Sequence, residues 1–262
     1  MKKFITLAIC LMATIGCYAQ SYFEGTLKAR SYEDHSGIYI KSARGTLCNG
    51  ARDAALHVKG QKLLVEDNLT NIHTLYTIEN DEMYLIFHNV KKAVKLSCSN
   101  FQKSINQTNG EPAQPTQVVK TLTGMPCRLY TWSNKNKVGT VNTTLSTETY
   151  VCEELPIDPA LAPIASNTKQ PYLFMKYVVK TDIKAPIASY HSYIAYEVKE
   201  VIPTILDEAL FTVPAGYEII DGVDRKAMLK VYDENLKLMK KAKKEKEKPV
   251  EIKFEINEEW DF

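Results

Sequence analysis

The sequence lacks the compact motifs that mark most enzyme active sites. It contains no GxSxG elbow, no HExxH pair and no glycine-rich phosphate loop, and the glycines at Gly45 and Gly50 fit neither GxGxxG nor GKT/S. Paired acids such as Glu153 and Glu154 occur, but neighbouring residues of a strand point to opposite faces. These absences favour a protein that is not an enzyme and uses no cofactor. An envelope hydrolase is the least favoured of the functions that fit the chain.

A strong net charge and a second long apolar run are also missing. Lys2 and Lys3 lie in the signal peptide that is predicted below. Without them, 31 of the 33 basic residues remain, which equals the 31 acidic residues. A neutral chain has no overall field to attract nucleic acid, so no nucleic-acid partner is expected.

The one long apolar run lies at the start of the chain and predicts a signal peptide over residues 1–19. Two lysines precede the apolar residues 4–15, which are too few to span a membrane, and small residues lead to Ala19. Cys17 is a candidate lipidated residue, but Thr14 stands where a lipobox usually has leucine. Cleavage after Ala19 is therefore favoured over a lipoprotein. The mature chain is expected in the periplasm or associated with the outer membrane.

Cysteine usage fits an exported protein. Two of the six cysteines lie in the signal region, which leaves Cys48, Cys98, Cys127 and Cys152. Four cysteines allow three disulfide connectivities. Cys127 and Cys152 lie near the outer ends of two strand-like runs, which predicts a cross-hairpin bridge and leaves Cys48 to pair with Cys98. The absence of CxxC argues against zinc binding and dithiol redox chemistry.

Short runs of alternating apolar and polar residues predict a mainly β chain with an antiparallel sheet, sandwich or open barrel. Gly60 is expected to turn a first hairpin, Asn80-Asp81 a second, and Asn134 to Asn136 a third. The polar residues 99–117 predict a mobile surface loop. Strands are predicted at residues 22–30, 54–66, 71–79, 83–88, 93–98, 126–132, 138–152, 172–181 and 190–202, a short helix at 159–165, and a closing strand through Phe211 and Val213.

Five short segments, in this order, resemble the DUF4412 domain of exported Bacteroidetes proteins. They are Phe23-Glu24-Gly25, Val58-Lys59-Gly60-Gln61-Lys62, Met83-Tyr84-Leu85, Gly124-Met125-Pro126-Cys127 and Phe211-Thr212-Val213-Pro214-Ala215-Gly216-Tyr217. That family is distantly similar to the LolA and LppX carriers of lipoproteins and lipids, in which a curved antiparallel sheet, or half-barrel, wraps around helices. The resemblance covers about residues 22–220 and implies a domain over 20–221. It brings no catalytic residue with it.

A charged helix is predicted after this domain, at residues 222–248. Asp224 can cap it, and Met228, Val231, Tyr232, Leu236, Met239 and Ala242 share one stripe. Ten basic and four acidic side chains give Arg225 to Lys248 a net charge of +6. Its first half can dock on the domain, and its basic surface can meet anionic membrane or an envelope protein. Alternation in residues 249–262 predicts a final strand or tail that can join a sheet edge.

Two hypotheses about ligands follow from the β-rich part of the chain. His73 and His88 could meet across the hairpin at 71–88, with Glu79, Asp81 and Glu82 near its turn, but ordinary strand histidines are favoured over a metal site. Fifteen tyrosines, eight phenylalanines and two tryptophans suit a curved sheet with an apolar concavity. The leading hypothesis is a non-enzymatic binder or carrier of a lipid or another hydrophobic ligand. The alternative is a structural module of the envelope that docks a partner through its C-terminal helix and strand.

Overall fold

The computed structural model describes residues 22–37, 50–67, 71–109, 112–165, 168–186 and 188–246. The predicted signal peptide, Cys48 and the predicted final strand at 249–262 lie outside these ranges.

One twelve-stranded sheet organises the described chain and confirms the mainly β prediction. Every pairing is antiparallel except that of β12 with β6, and the strand order is β12-β6-β5-β4-β3-β2-β1-β11-β10-β9-β8-β7. The N-terminal strand β1 thus lies inside the sheet, between β2 and β11. The strands are β1 (Gly25–Gly37), β2 (Gly50–Lys59), β3 (Lys62–Asp67), β4 (Ile72–Thr77), β5 (Glu82–Phe87), β6 (Lys92–Ser97), β7 (Gln114–Leu122), β8 (Met125–Val138), β9 (Val141–Pro156), β10 (Tyr172–Ala185), β11 (Ala188–Pro203) and β12 (Glu218–Asp221).

In the ranges that the structure describes, helices are few and short, apart from the last. The α-helices are α1 (Cys98–Asn109), α2 (Ala162–Ala165) and α3 (Arg225–Lys246), and 3-10 turns occupy Ile78–Asn80, Pro159–Leu161 and Glu208–Phe211. The helix predicted at 159–165 is confirmed. No helix in the described ranges is both long and apolar enough to cross a membrane.

Two predicted hairpins have the turns that their residues favour. Gly60 has a φ of 53° between β2 and β3, and Asp81 has a φ of 54° between β4 and β5. Both lie in the left-handed region, which glycine reaches freely and aspartate tolerates. The third turn was predicted at Asn134 to Asn136 and is wrong: β8 continues to Val138, and Gly139, at a φ of 59°, turns the chain instead.

The loop predicted at 99–117 is also wrong, because this polar stretch holds α1 and the start of β7. The carboxylate of Asp81 accepts the Ser99 amide at 2.7 Å, and Ser97 Oγ accepts the Asn100 amide at 3.2 Å. These contacts cap the helix start, and Phe101 packs against the main core. Tertiary contacts, rather than the low apolar content of the segment, therefore stabilise α1.

The closing strand predicted through Phe211 and Val213 is wrong as well. Asp207 Oδ1 accepts the Ala209 amide at 2.9 Å and caps a 3-10 turn, which places Phe211 in a buried cluster. Pro214 and Gly216 precede a strand instead of ending one, since β12 starts at Glu218. We call residues 204–217 the closing segment.

Two layers cover the β2–β6 half of the sheet. Leu56, Leu63 and Met83 belong to the main core on one face, which we call the core face. On the opposite, outer face, Leu64, Leu75, Ile86 and Ala93 pack against the closing segment through Phe211, Leu206, Leu210, Val213 and Tyr217.

Helix α3 begins and docks as the sequence predicts. Asp224 Oδ1 accepts the Ala227 amide at 3.0 Å, which caps the helix. Val231 is buried, and Met228 and Tyr232 pack with it against Phe87 and Val94. The first half of the predicted stripe is therefore confirmed as the docking face.

Candidate functional site

A row of five paired residues crosses five strands on one face and forms the first candidate site. Ser31 pairs with Tyr196, Tyr196 with Tyr177, Tyr177 with Thr149, and Thr149 with Tyr130. Directly paired residues of antiparallel strands lie on the same face. Leu27 and Ala29 of β1 belong to the main core and alternate with Ser31, so at β1 this face continues the core face. At β8 and β9 the main core takes the alternate residues Leu129 and Tyr150, so there the row lies on the opposite face, beyond the register shifts of β10.

A second row runs beside the first and is mostly apolar. Ile194 pairs with Val179, Val179 with Thr147, and Thr147 with Trp132. We call the two rows together the tyrosine strip. At about 4.8 Å per strand, its five strands span about 19 Å.

The strip is shielded from solvent to an unusual degree for threonine and serine. Ser31, Thr147 and Thr149 are each less than 5 % exposed. Tyr177 and Tyr196 are half-buried, and burial raises the pKa of the Tyr177 hydroxyl. Ser31 Oγ is buried and has no hydrogen-bond partner in the described part of the chain.

Packed clusters hold the two ends of the strip. Tyr196 packs against the main core, and at the other end Tyr130 and Trp132 pack with Ala113 and Tyr172. Between them, Tyr177, Val179 and Ile194 belong to none of the packed clusters formed by the described residues. The strip can therefore offer an elongated surface of aromatic and aliphatic side chains, in which six of the nine residues also carry a hydroxyl group.

The second candidate site is a histidine cluster on the outer face, next to the closing segment. The pairing registers place His57, Glu66 and His73 on neighbouring strands β2, β3 and β4, and His88 follows β5. His57 Nε2 lies 3.5 Å from Glu66 Oε1, and His73 Nδ1 lies 3.9 Å from the same oxygen. The rings of His73 and His88 meet edge to face with centroids 4.1 Å apart.

Hydrogen bonds tie this histidine cluster to two other elements. His88 Nδ1 is 2.9 Å from the Tyr217 hydroxyl of the closing segment, and His57 Nδ1 is 2.8 Å from the Thr26 hydroxyl of β1. The other ring nitrogen of each, Nε2, is buried without a hydrogen bond of normal geometry inside the described ranges.

The electrostatics of the cluster favour neutral rings at His73 and His88 beside one carboxylate. The contact with His57 lowers the pKa of Glu66. Burial lowers the pKa of His73, and the neighbouring His88 adds to that effect. Burial likewise lowers the pKa of His88. Taking a charge out of water disfavours the protonated imidazole, which is the physical cause in both rings.

The predicted meeting of His73 and His88 is confirmed, and the three acids lie near the turn as predicted, but the turn does not bring them to the histidines. Glu79, Asp81 and Glu82 lie at the turn of the hairpin, whereas the two histidines lie at its open end, beside Glu66. His57 and Glu66 were missed, because only the register of β2 with β3 brings them there. Among the described residues, no group of three or more His, Cys, Asp or Glu side chains is arranged to hold a metal ion.

The structure also brings together the cysteines of the predicted cross-hairpin bridge. Cys127 and Cys152 are free thiols, both fully buried, and their mutual hydrogen bond raises the pKa of Cys127 and lowers that of Cys152. Cys98 is a buried thiol that donates to the Glu82 carbonyl at 2.9 Å. The bridge from Cys127 to Cys152 stays a prediction, as does the pairing of Cys98 with Cys48.

A groove of about 780 Å³ lies between α1, β6 and β12. Phe101 and Ile219 give it apolar surface, but Asp81, Glu82 and Asp221 also line it. Lys95 is engaged by Glu82 at 2.5 Å, so the groove keeps an acidic character. It suits an apolar ligand less well than the tyrosine strip does.

Comparison with family models gave no match to this chain. Comparison with curated proteins gave no significant match. The resemblance to the DUF4412 domain therefore stays a prediction.

Proposed function

We propose that this chain is an exported, non-enzymatic cell-envelope protein that binds or carries a lipid or another hydrophobic ligand. The proposal includes a sheet of the LolA-like type, with the ligand on the tyrosine strip. The observation that carries it is the strip itself: two paired rows that lead from the main core at β1 and β11 to the packed cluster of Tyr130 and Trp132. An extended acyl chain lying across the strands would cover the half-buried Tyr177, Val179 and Ile194.

The partnerless hydroxyl of Ser31 supports an amphipathic ligand in particular. A buried hydroxyl without a partner is costly, and a polar group of a ligand would satisfy it. The ligand class that fits is therefore an acyl chain with a hydrogen-bonding group near one end, beside β1.

The proposal is tested with a fluorescent fatty acid as the probe. We expect wild-type protein to bind it, and we expect Val179→Glu and Ile194→Glu each to weaken binding at least about tenfold, because a carboxylate would enter an apolar contact. Val119→Glu is the matched control, since Val119 is 53 % exposed on the edge strand β7. Equal affinity of the strip variants and the control would overturn the proposal.

Native mass spectrometry of protein purified from its own envelope should reveal a bound lipid, and repeated recovery of empty protein would count against it.

A second candidate function, docking of an envelope partner or anionic membrane through α3, has a specific observation in its favour. Leu229 and Leu238 are 47 % and 43 % exposed on this helix, beside exposed basic residues such as Lys230 and Lys237. Reversing the charge of Lys230 and Lys237 should abolish binding to anionic vesicles while binding of the fatty acid is kept. Unchanged binding of this variant to anionic vesicles would favour the carrier function alone.

A further inference from the structure

One hydrogen bond links the histidine cluster of the sheet to the closing segment. The Tyr217 hydroxyl lies 2.9 Å from His88 Nδ1, and the two rings are in edge contact with centroids 5.7 Å apart. Tyr217 also belongs to the apolar cluster of the outer face, with Phe211 and Leu64. A change in charge at His88 therefore acts directly on the contact between the closing segment and the sheet.

The histidine cluster has fewer neighbouring acids than imidazole rings. The three imidazoles of His57, His73 and His88 are influenced by two acids, Glu66 and Asp67, both on β3. Thr26 of β1 and Tyr217 of the closing segment contribute neutral hydroxyls.

Glu208 begins the 3-10 turn of the closing segment, and its carboxylate binds residues outside the histidine cluster. Glu208 binds Lys62 at 2.7 Å and Lys59 at 3.2 Å, so these three residues form their own ion-pair group. Glu66 accordingly lies nearest to the rings, within 3.9 Å of two of them. Protonation of all three rings would leave positive charge without a close partner.

We propose that His73 and His88 form a proton-sensitive latch that holds the closing segment on the outer face at neutral pH and releases it on mild acidification. A proton added to His73 or His88 would place a cation against another ring in a buried site. When the closing segment lifts, both rings reach water and protonate freely, so acid favours the open form.

The direction of the pH dependence follows from the lowered pKa values of His73 and His88. The open form takes up protons as the pH falls through the ordinary histidine value of 6.5, whereas the closed form takes them up at lower pH. The closed form is thus fully stable above that value and loses stability below it. The lowered pKa of Glu66 acts at lower pH, because its contribution is present above the ordinary value of 4.5 and is lost as the pH falls through its folded value.

The latch is tested by hydrogen exchange of the full chain at about pH 7.5 and about pH 5.5, corrected for intrinsic exchange rates. One pH unit below the ordinary value, each ring that stays neutral in the closed form should speed exchange about tenfold. We expect this acceleration in residues 204–217 and not in β9. His73→Gln and His88→Gln cannot protonate and should reduce the acceleration.

The matched control is His191→Gln, because His191 is exposed and pairs with Asp182 at 2.5 Å, away from the cluster. It should keep the full acid response. Glu66→Gln should enlarge the response, since it removes the carboxylate that compensates a protonated ring. The proposal is overturned if exchange in 204–217 does not accelerate in acid, or if the wild type and the cluster variants respond equally. If His73→Gln and His88→Gln do not fold, the acid acceleration of exchange in 204–217 is compared between Glu66→Gln and wild type, and equal acceleration overturns the proposal.

Discussion

At the scale of single residues, the thiols of Cys127 and Cys152 give a direct test of the export prediction. They lie on neighbouring strands, one position beyond the pair Arg128 and Val151, and each is fully buried. A bridge there would close a loop of about 25 residues, which stabilises a chain by about 3 kcal/mol. We expect protein isolated from an oxidising compartment to yield one cross-linked peptide pair containing Cys127 and Cys152, and a reductant to lower its Tm.

The control for this prediction is the third described thiol. Cys98 donates to the Glu82 carbonyl, and Cys98→Ala removes the other predicted bridge. A reductant should still lower the Tm of the Cys98→Ala variant, and adding Cys127→Ala should remove that effect. An unchanged Tm of wild-type protein with and without reductant would contradict the bridge.

Residue patterns predict local turns well, but they fail where contacts with residues far away in the sequence determine the structure. Gly60 and Asp81 adopt the left-handed conformations that their chemistry allows, so two hairpins were predictable. The capping of α1 depends on Asp81 and Ser97 meeting the helix start, which no apolar periodicity in residues 99–117 records. The same holds for Phe211, which alternates with Val213 like a strand residue but is buried by a 3-10 turn against Leu64 and Leu75.

At the scale of elements, the described part of α3 is held by one buried apolar side chain and a small set of polar contacts. Val231 is 1 % exposed against Phe87 and Val94. Asn89 Nδ2 donates to Asn235 Oδ1 at 2.9 Å, and Lys92 binds Glu234 at 2.9 Å. The ion pair is partly exposed and contributes little, so the apolar contact dominates.

This balance predicts that Val231→Asp detaches the helix. Burying an unpaired carboxylate in place of a valine should cost about 3 kcal/mol, and the helix can escape that cost by leaving the sheet. Limited proteolysis should then cut within residues 225–246 much faster than in wild type. Leu229→Asp is the control on the same helix, because Leu229 is 47 % exposed, and it should leave the cleavage rate nearly unchanged. Equal cleavage of both variants would show that α3 is not held by this contact.

At the scale of the whole molecule, alternation predicted the strands, but it could not predict their neighbours. The tyrosine strip exists because β1 inserts between β2 and β11, which aligns Ser31 with Tyr196 and Tyr177 from 140 residues or more further along the chain. The histidine cluster likewise needs β2, β3, β4 and β5 in register before His57, His73 and His88 can gather beside Glu66. Both candidate sites are therefore products of topology, and neither leaves a compact motif in the sequence.

The central position of β1 makes a last prediction about cooperativity. β1 pairs with β2 on one side and β11 on the other, and it thereby joins β2–β6 and β12 to β7–β11. Ala29, 4 % exposed, pairs with Ala54 in β2 and Val198 in β11. A carboxylate at this position would weaken both halves together, so Ala29→Asp should shift both halves to the same lower urea midpoint.

Hydrogen exchange of β4 and β10 peptides across a urea series measures the two midpoints separately. Val138→Asp, at a position 71 % exposed beside the β8–β9 turn, should shift neither. A shift of the β10 midpoint alone would mean that β1 does not couple the two halves, and that the ligand strip can unfold while the histidine cluster stays closed.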